Sequence, residues 1–96
     1  MPDLPDQILA ILKAEFRPVH LELTDDSALH AAHQGPARSG GGHFKLVIVS
    51  AVFDRQKPLE RHRSIYRVLA PWMQRDIHAL QLEVWTPHEW QKKSYS

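Results

Sequence analysis

The sequence contains no cysteine. No disulfide can staple the fold, and no thiolate of this chain can ligate a metal, so any sulfur ligand must come from another molecule. No apolar run approaches the roughly 20 residues needed to span a bilayer, and no membrane role is expected. The start, MPDLPDQ, is acidic and lacks the basic stretch and apolar run of a secretory signal; a cytoplasmic protein is the expectation. Neither sign of charge predominates: 12 lysines and arginines against 11 acids leave a formal net charge of +1. That is too little to demand nucleic acid or a membrane surface, although it can still be unevenly spread. Glycine numbers only four, and three of these, Gly40 to Gly42, precede a strand pattern and open no helix. They do not make a phosphate-binding loop. No nucleophile–base motif stands out either, so an enzyme is not expected.

Histidine is what the chain has in excess, with seven in 96 residues. A chain of this length makes one small domain with a modest core, taken as residues 1–96 with the core at about 5–91.

Hydrophobic periodicity gives the elements. Ile8, Ile11, Leu12 and Phe16 form one stripe and predict a helix over Pro5 to Phe16, capped by Asp3 and ended with the help of Pro18. Val19 to Thr24 alternates as a half-buried strand. DDSALHAAHQGPARSGGG, residues 25–42, is a long polar loop, a length that is usually functional or disordered. HFKLVIVS, residues 43–50, is apolar on both faces, the pattern of a central strand. Ala51 to Lys57 reads as a turn. Leu59, His62, Tyr66, Leu69 and Met73 then repeat at helical spacing. Because Pro71 breaks a continuous helix, two helices are expected, roughly 59–70 and 71–75. Ala79 to Trp85 alternates again, and TPHE at 86–89 is a capping box that opens a last helix. The order α-β-β-α-α-β-α predicts an α+β fold. A three-stranded mixed sheet has its second strand in the centre, and the helices cover one face.

Five stretches, LELTDDSALHAAH, HFKLVIVSAVF, LERHRSIYRVLA, IHAL and TPHEW, stand in this order over about Ile8 to Trp90. Together they resemble the BolA family. The resemblance implies a fold like the class II KH domains. It also implies a heterodimer with a monothiol glutaredoxin that shares a [2Fe–2S] cluster, and in some members DNA-binding regulation. The chain departs from the family pattern in two places. Arg55 stands where a glycine is usual, and Pro71 and Trp72 stand where two acids are usual.

The resemblance implies His78 and His30 as the two cluster ligands; His33, close by on the same loop, is a possible substitute for His30, and His43, at the entry to the central strand, is a weaker third candidate. Imidazole suits iron, and replacing thiolates by imidazoles on one iron raises the reduction potential. The glutaredoxin and its bound glutathione supply the sulfur ligands, so the chain alone is expected to be monomeric and without a cofactor. The plain alternatives are a strand-end histidine bonded to a backbone carbonyl for His78 and a solvated loop histidine for His30. His62, on the stripe with Leu59 and Tyr66, is expected at the rim of the core with its ring bonded to backbone or loop; support of the cluster is the alternative. Arg55, Lys57, Arg61, Arg63 and Arg67 form a basic patch open to nucleic acid or a protein partner, with Arg61 and Arg63 reaching solvent. The glycine-bearing GxxG clamp of KH modules is absent, FDRQKPLE standing in its place. Sequence-specific RNA binding is therefore disfavoured, and DNA remains the alternative partner. Trp72, Trp85 and Trp90 are expected in the core or at its rim.

Overall fold

The computed structural model describes residues 3–25 and 42–94. Helix α1 (Leu4–Phe16) starts at Asp3, whose carboxylate accepts the Asp6 amide at 3.0 Å. Ile8, Leu12 and Phe16 recur every four residues and are buried. Arg17 closes the helix in the left-handed region, at φ 46°, and its amide donates to Lys13 O at 3.1 Å. Pro18 follows and cannot resume the helical bonding.

Strands β1 (His20–Asp25), β2 (His43–Val49) and β3 (Ala79–Trp85) form one sheet in the order β1-β2-β3. The β1/β2 pair is antiparallel and the β2/β3 pair parallel, as the two kinds of connection demand. Leu21 pairs with Ile48 and Leu23 with Leu46, while Leu80, Leu82 and Val84 align with Phe44, Leu46 and Ile48. These residues line the face that carries the core, together with Ile8, Leu12 and Phe16. The neck between β2 and the second helix is a 3-10 turn, Ala51–Arg55, rather than a plain turn. Its Phe53 is fully buried and meets Phe16 with ring centroids 5.4 Å apart. Burying such a ring contributes on the order of 2–3 kcal/mol. Ser50, also buried, ties the pieces together. Its hydroxyl donates to Phe16 O at 2.5 Å and accepts the Val52 amide at 3.2 Å.

The second helix, α2, runs unbroken from Pro58 to Met73 with Pro71 inside it, correcting the expected break after residue 70. Pro71 lies in the last turn. Its missing N–H releases only the carbonyl of Arg67, on a side of the helix where both residues are exposed, and water can satisfy that carbonyl. The buried positions of α2 are Ile65 and Leu69, with Val68, Trp72 and Met73 packed against the core. Leu59 and Tyr66, expected on the inner stripe, are 61% and 40% exposed. Packing of Ile65 and Leu69 turns the helix so that Leu59 and Tyr66 fall on its flank.

Helix α3 (Pro87–Ser94) opens with the expected capping box: the Glu89 amide donates to Thr86 Oγ1 at 3.1 Å, and the Thr86 amide to Glu89 Oε1 at 3.0 Å. The two long helices cover the core face of the sheet. Helix α3 instead lays Trp90 against the opposite face, where alternation places His20 and Trp85. The His20 and Trp90 rings stack at 4.8 Å, Trp85 lies 6.1 Å from Trp90, and Lys93 Nζ sits 5.7 Å from both indoles.

Candidate functional site

His78 stands one residue before β3, exposed to solvent. Its position is set by backbone: the His78 and Ala79 amides both donate to Gly42 O, at 2.8 and 3.1 Å. Gly42 immediately precedes β2, is buried, and has φ +73°, a conformation that only glycine adopts freely. The imidazole of His78 lies beside it and makes no hydrogen bond among the described residues. A strand-end histidine bonded to a carbonyl is therefore not what these residues present.

His30 and His33 lie outside the described residues. The points at which their segment leaves and rejoins the sheet are fixed. Asp25, its last residue before departure, pairs with Phe44, and Gly42 marks its return. Both points lie at the end of the sheet where His78 stands. His43 is half-buried, pairs across to Ala79, and by alternation with Phe44 belongs to the face opposite the core. His62 is half-buried on the flank of α2, and its ring makes no hydrogen bond among the described residues; the loop expected as its other partner lies outside them. Among the described residues, no three histidine or carboxylate side chains gather as a metal site.

The basic patch divides. Arg55, Lys57, Arg63 and Arg67 are exposed. Arg61 is not, which corrects the expectation that it reaches solvent: its side chain is 11% exposed and grips Glu89 of α3 with two bonds, Nη1–Oε1 at 2.8 Å and Nη2–Oε2 at 3.3 Å. Its Nε donates to Gln56 O at 2.9 Å. Arg61 holds the 3-10 turn, α2 and α3 together, and its guanidinium is committed. The Arg61 bond, then the Thr86 amide, hold the Glu89 carboxyl below its usual range against the opposing effect of burial. Arg63 and Arg67 are one turn apart and share their side of α2 with the exposed Leu59 and Tyr66. Arg55, where the family has glycine, fits a 3-10 turn that needs no left-handed residue; Arg17 is the one non-glycine with positive φ among the described residues.

Gly42, Ser50 and the sharing of Glu89 with Arg61 went unread in the sequence. A glycine directly before a strand was the available signal for the first. Nothing local pointed to the other two, because their partners lie 34 and 28 residues away.

Residues 12–89 match the family described as "BolA-like protein". The chain belongs to the BolA family. The "DNA-binding transcriptional regulator BolA" of Escherichia coli is 41% identical over 80 residues, covering 83% of this chain and 72% of that protein. Among solved structures, "BolA1 from Arabidopsis thaliana" superposes with a TM-score of 0.80 at 29% identity, covering 93% of this chain and 98% of that one. The "BolA domain of SufE1 from Arabidopsis thaliana" superposes at 0.75 with 38% identity, covering 86% and 91%. BolA relatives thus include both a named regulator and a domain of SufE1. In this BolA chain there are two candidate surfaces, the His78 end of the sheet and the exposed side of α2.

Proposed function

We propose that the chain is an adaptor that pairs with a monothiol glutaredoxin and shares a [2Fe–2S] cluster with it, through His78 and a histidine of the 26–41 segment. The observation that carries this reading is the state of His78. Its ring is exposed, fixed through backbone bonds to the start of β2, and uncommitted among the described residues. It also stands where the segment bearing His30 and His33 returns to the sheet. The donor chemistry fits, since imidazole nitrogens serve iron and the absence of cysteine leaves the sulfur ligands to the partner and its glutathione. When bound, the cluster supplies a redox-active iron–sulfur centre.

Co-expression with a monothiol glutaredoxin, followed by visible circular dichroism, tests the reading. A mixed-cluster spectrum distinct from that of the glutaredoxin alone is expected. It should vanish in His78→Ala, weaken in His30→Ala, and nearly vanish in the double change His30→Ala, His33→Ala. A normal spectrum in His78→Ala would return that residue to a structural role.

A second reading, a DNA-binding regulator, is favoured by the exposed cations Arg63 and Arg67 on one side of α2 and by the name carried by the Escherichia coli relative. Binding to DNA that weakens steeply with salt tests it.

A further inference from the structure

We infer that Gly42 is the positioning residue for His78: the imidazole is held in place because residue 42 has no side chain. The proposal rests on the reading of His78 as a cluster ligand and goes beyond it by naming what places the ring.

The geometry is specific. A Cβ on Gly42 would stand 2.5 Å from Asp76 O, 2.7 Å from His78 Cδ2 and 3.1 Å from the His78 nitrogen. Two of these neighbours are backbone atoms of the turn that leads into β3, and the third is the ring itself. The backbone atoms cannot yield, because the His78 and Ala79 amides both bind the carbonyl of residue 42 and the turn is tied back by the Asp76 and Ile77 amides, which donate to Trp72 O at 2.8 and 2.9 Å. A side chain at 42 would therefore be relieved by moving the ring or by breaking the paired bonds that start β2 and β3. Its φ of +73° adds a second demand, since the left-handed conformation costs a residue with a Cβ roughly 1–2 kcal/mol.

The ring meets Gly42 with a carbon edge. The Cδ2 edge of the ring occupies the space that a side chain at 42 would need, and neither ring nitrogen is spent there. This differs from the usual way of orienting a ligating histidine, a hydrogen bond from its second nitrogen to a carbonyl or carboxylate. Here the space left by the missing side chain of Gly42 admits the ring without such a bond. Because Gly42 is also the residue at which the 26–41 segment rejoins the sheet, the return of that segment and the placement of His78 are one local structure.

The first measurement uses the unmodified chain. A nuclear Overhauser contact between His78 Hδ2 and the Gly42 α protons is expected, and its absence would overturn the proposal without any variant having to fold. The second measurement uses Gly42→Ala. Its His78 ring resonances should move while those of His20 and His62 stay in place. Retention of the mixed cluster, read by visible circular dichroism, should fall by about 10- to 100-fold, the usual cost of losing a group that orients a metal ligand. Affinity for the cluster-free glutaredoxin should change by less than about twofold, because no ligand is engaged there. If His78→Ala loses the mixed cluster while Gly42→Ala keeps it, the positioning role is wrong and the ligand reading stands. If His78→Ala keeps it, both are wrong.

Discussion

At the scale of single residues, Arg61 and Arg63 show how differently two similar side chains can be used. They are two positions apart on α2, so they point to different sides of the helix. Arg63 is exposed, whereas Arg61 is nearly enclosed and makes three bonds to two other elements. Arg61→Ala is therefore expected to destabilise the fold by about 1–2 kcal/mol, a value for charge-assisted bonds discounted for the partial exposure of Glu89. In a domain of this size that lowers Tm by roughly 5–15 °C. Arg63→Ala should leave Tm nearly unchanged, and thermal unfolding of the two variants compares them. The pH dependence carries a sign. The Glu89 carboxyl titrates below its ordinary 4.5 in the folded protein, chiefly because Arg61 binds its charged form. Its contribution is complete above the unfolded-state value and is lost as pH falls through the folded-state value. The Tm gap between the parent chain and Arg61→Ala should thus be constant near neutrality and narrow below about pH 4.5. A gap that persists undiminished in acid would mean that the arginine acts through packing of its stem alone.

At the scale of elements, the strands were the most legible part of the sequence. Alternation is a local signal, and Leu21/Leu23, Phe44/Leu46/Ile48 and Leu80/Leu82/Val84 fall on one face as their spacing requires. The capping signals at Asp3 and at Thr86–Glu89 were legible for the same reason, because each bond closes within three residues. Helix α2 was less so. Leu59, Tyr66 and Leu69 fit one helical stripe as well as Ile65 and Leu69 fit another. Only packing against the sheet decides between them, leaving Leu59 and Tyr66 outside. Helix α3 was visible as a helix, but its placement was not. That it stacks Trp90 on His20 follows from tertiary structure. Of the candidate site, the resemblance implied His78, but the approach of its ring to Gly42 joins residues 36 positions apart and has no sequence signature. Pro71 gives the prediction at this scale. It sits in an otherwise regular helix on an exposed surface. Pro71→Ala restores an amide that can bond Arg67 O, at the cost of a more flexible unfolded chain. A net gain of about 1 kcal/mol is expected, well below the full helix-interior penalty of proline because the site lies in the last turn. A lower midpoint in urea would show instead that the freed Arg67 carbonyl or the proline ring makes a contact that alanine cannot replace.

At the scale of the whole molecule, the two candidate surfaces make independent demands. A [2Fe–2S] cluster needs four terminal ligands, and a chain without cysteine cannot provide the usual thiolates. The isolated protein is expected to be colourless and monomeric, which iron and sulfide analysis with sedimentation checks directly; stoichiometric iron and sulfide in the chain alone would contradict it. The exposed side of α2 makes the other demand. Its cations, Arg63 and Arg67, stand one turn apart with Leu59 and Tyr66 beside them, and Arg61 has been withdrawn by Glu89. If this side contacts a DNA backbone, each arginine that neutralises a phosphate steepens the fall of log K with log salt by about 0.9. Replacing both Arg63 and Arg67 by alanine should therefore weaken binding at low salt and flatten that slope by about 2. Tm should barely move, because neither side chain is part of the Arg61–Glu89 tie. The same pair of substitutions should leave the mixed-cluster spectrum with glutaredoxin unchanged, since His78 and Gly42 lie at the strand end beyond the last turn of α2. A flattened DNA slope with an intact cluster would establish two working surfaces on one small domain. An unchanged slope would remove α2 from DNA binding and leave its arginines and exposed apolar residues as a protein-facing or solvated surface.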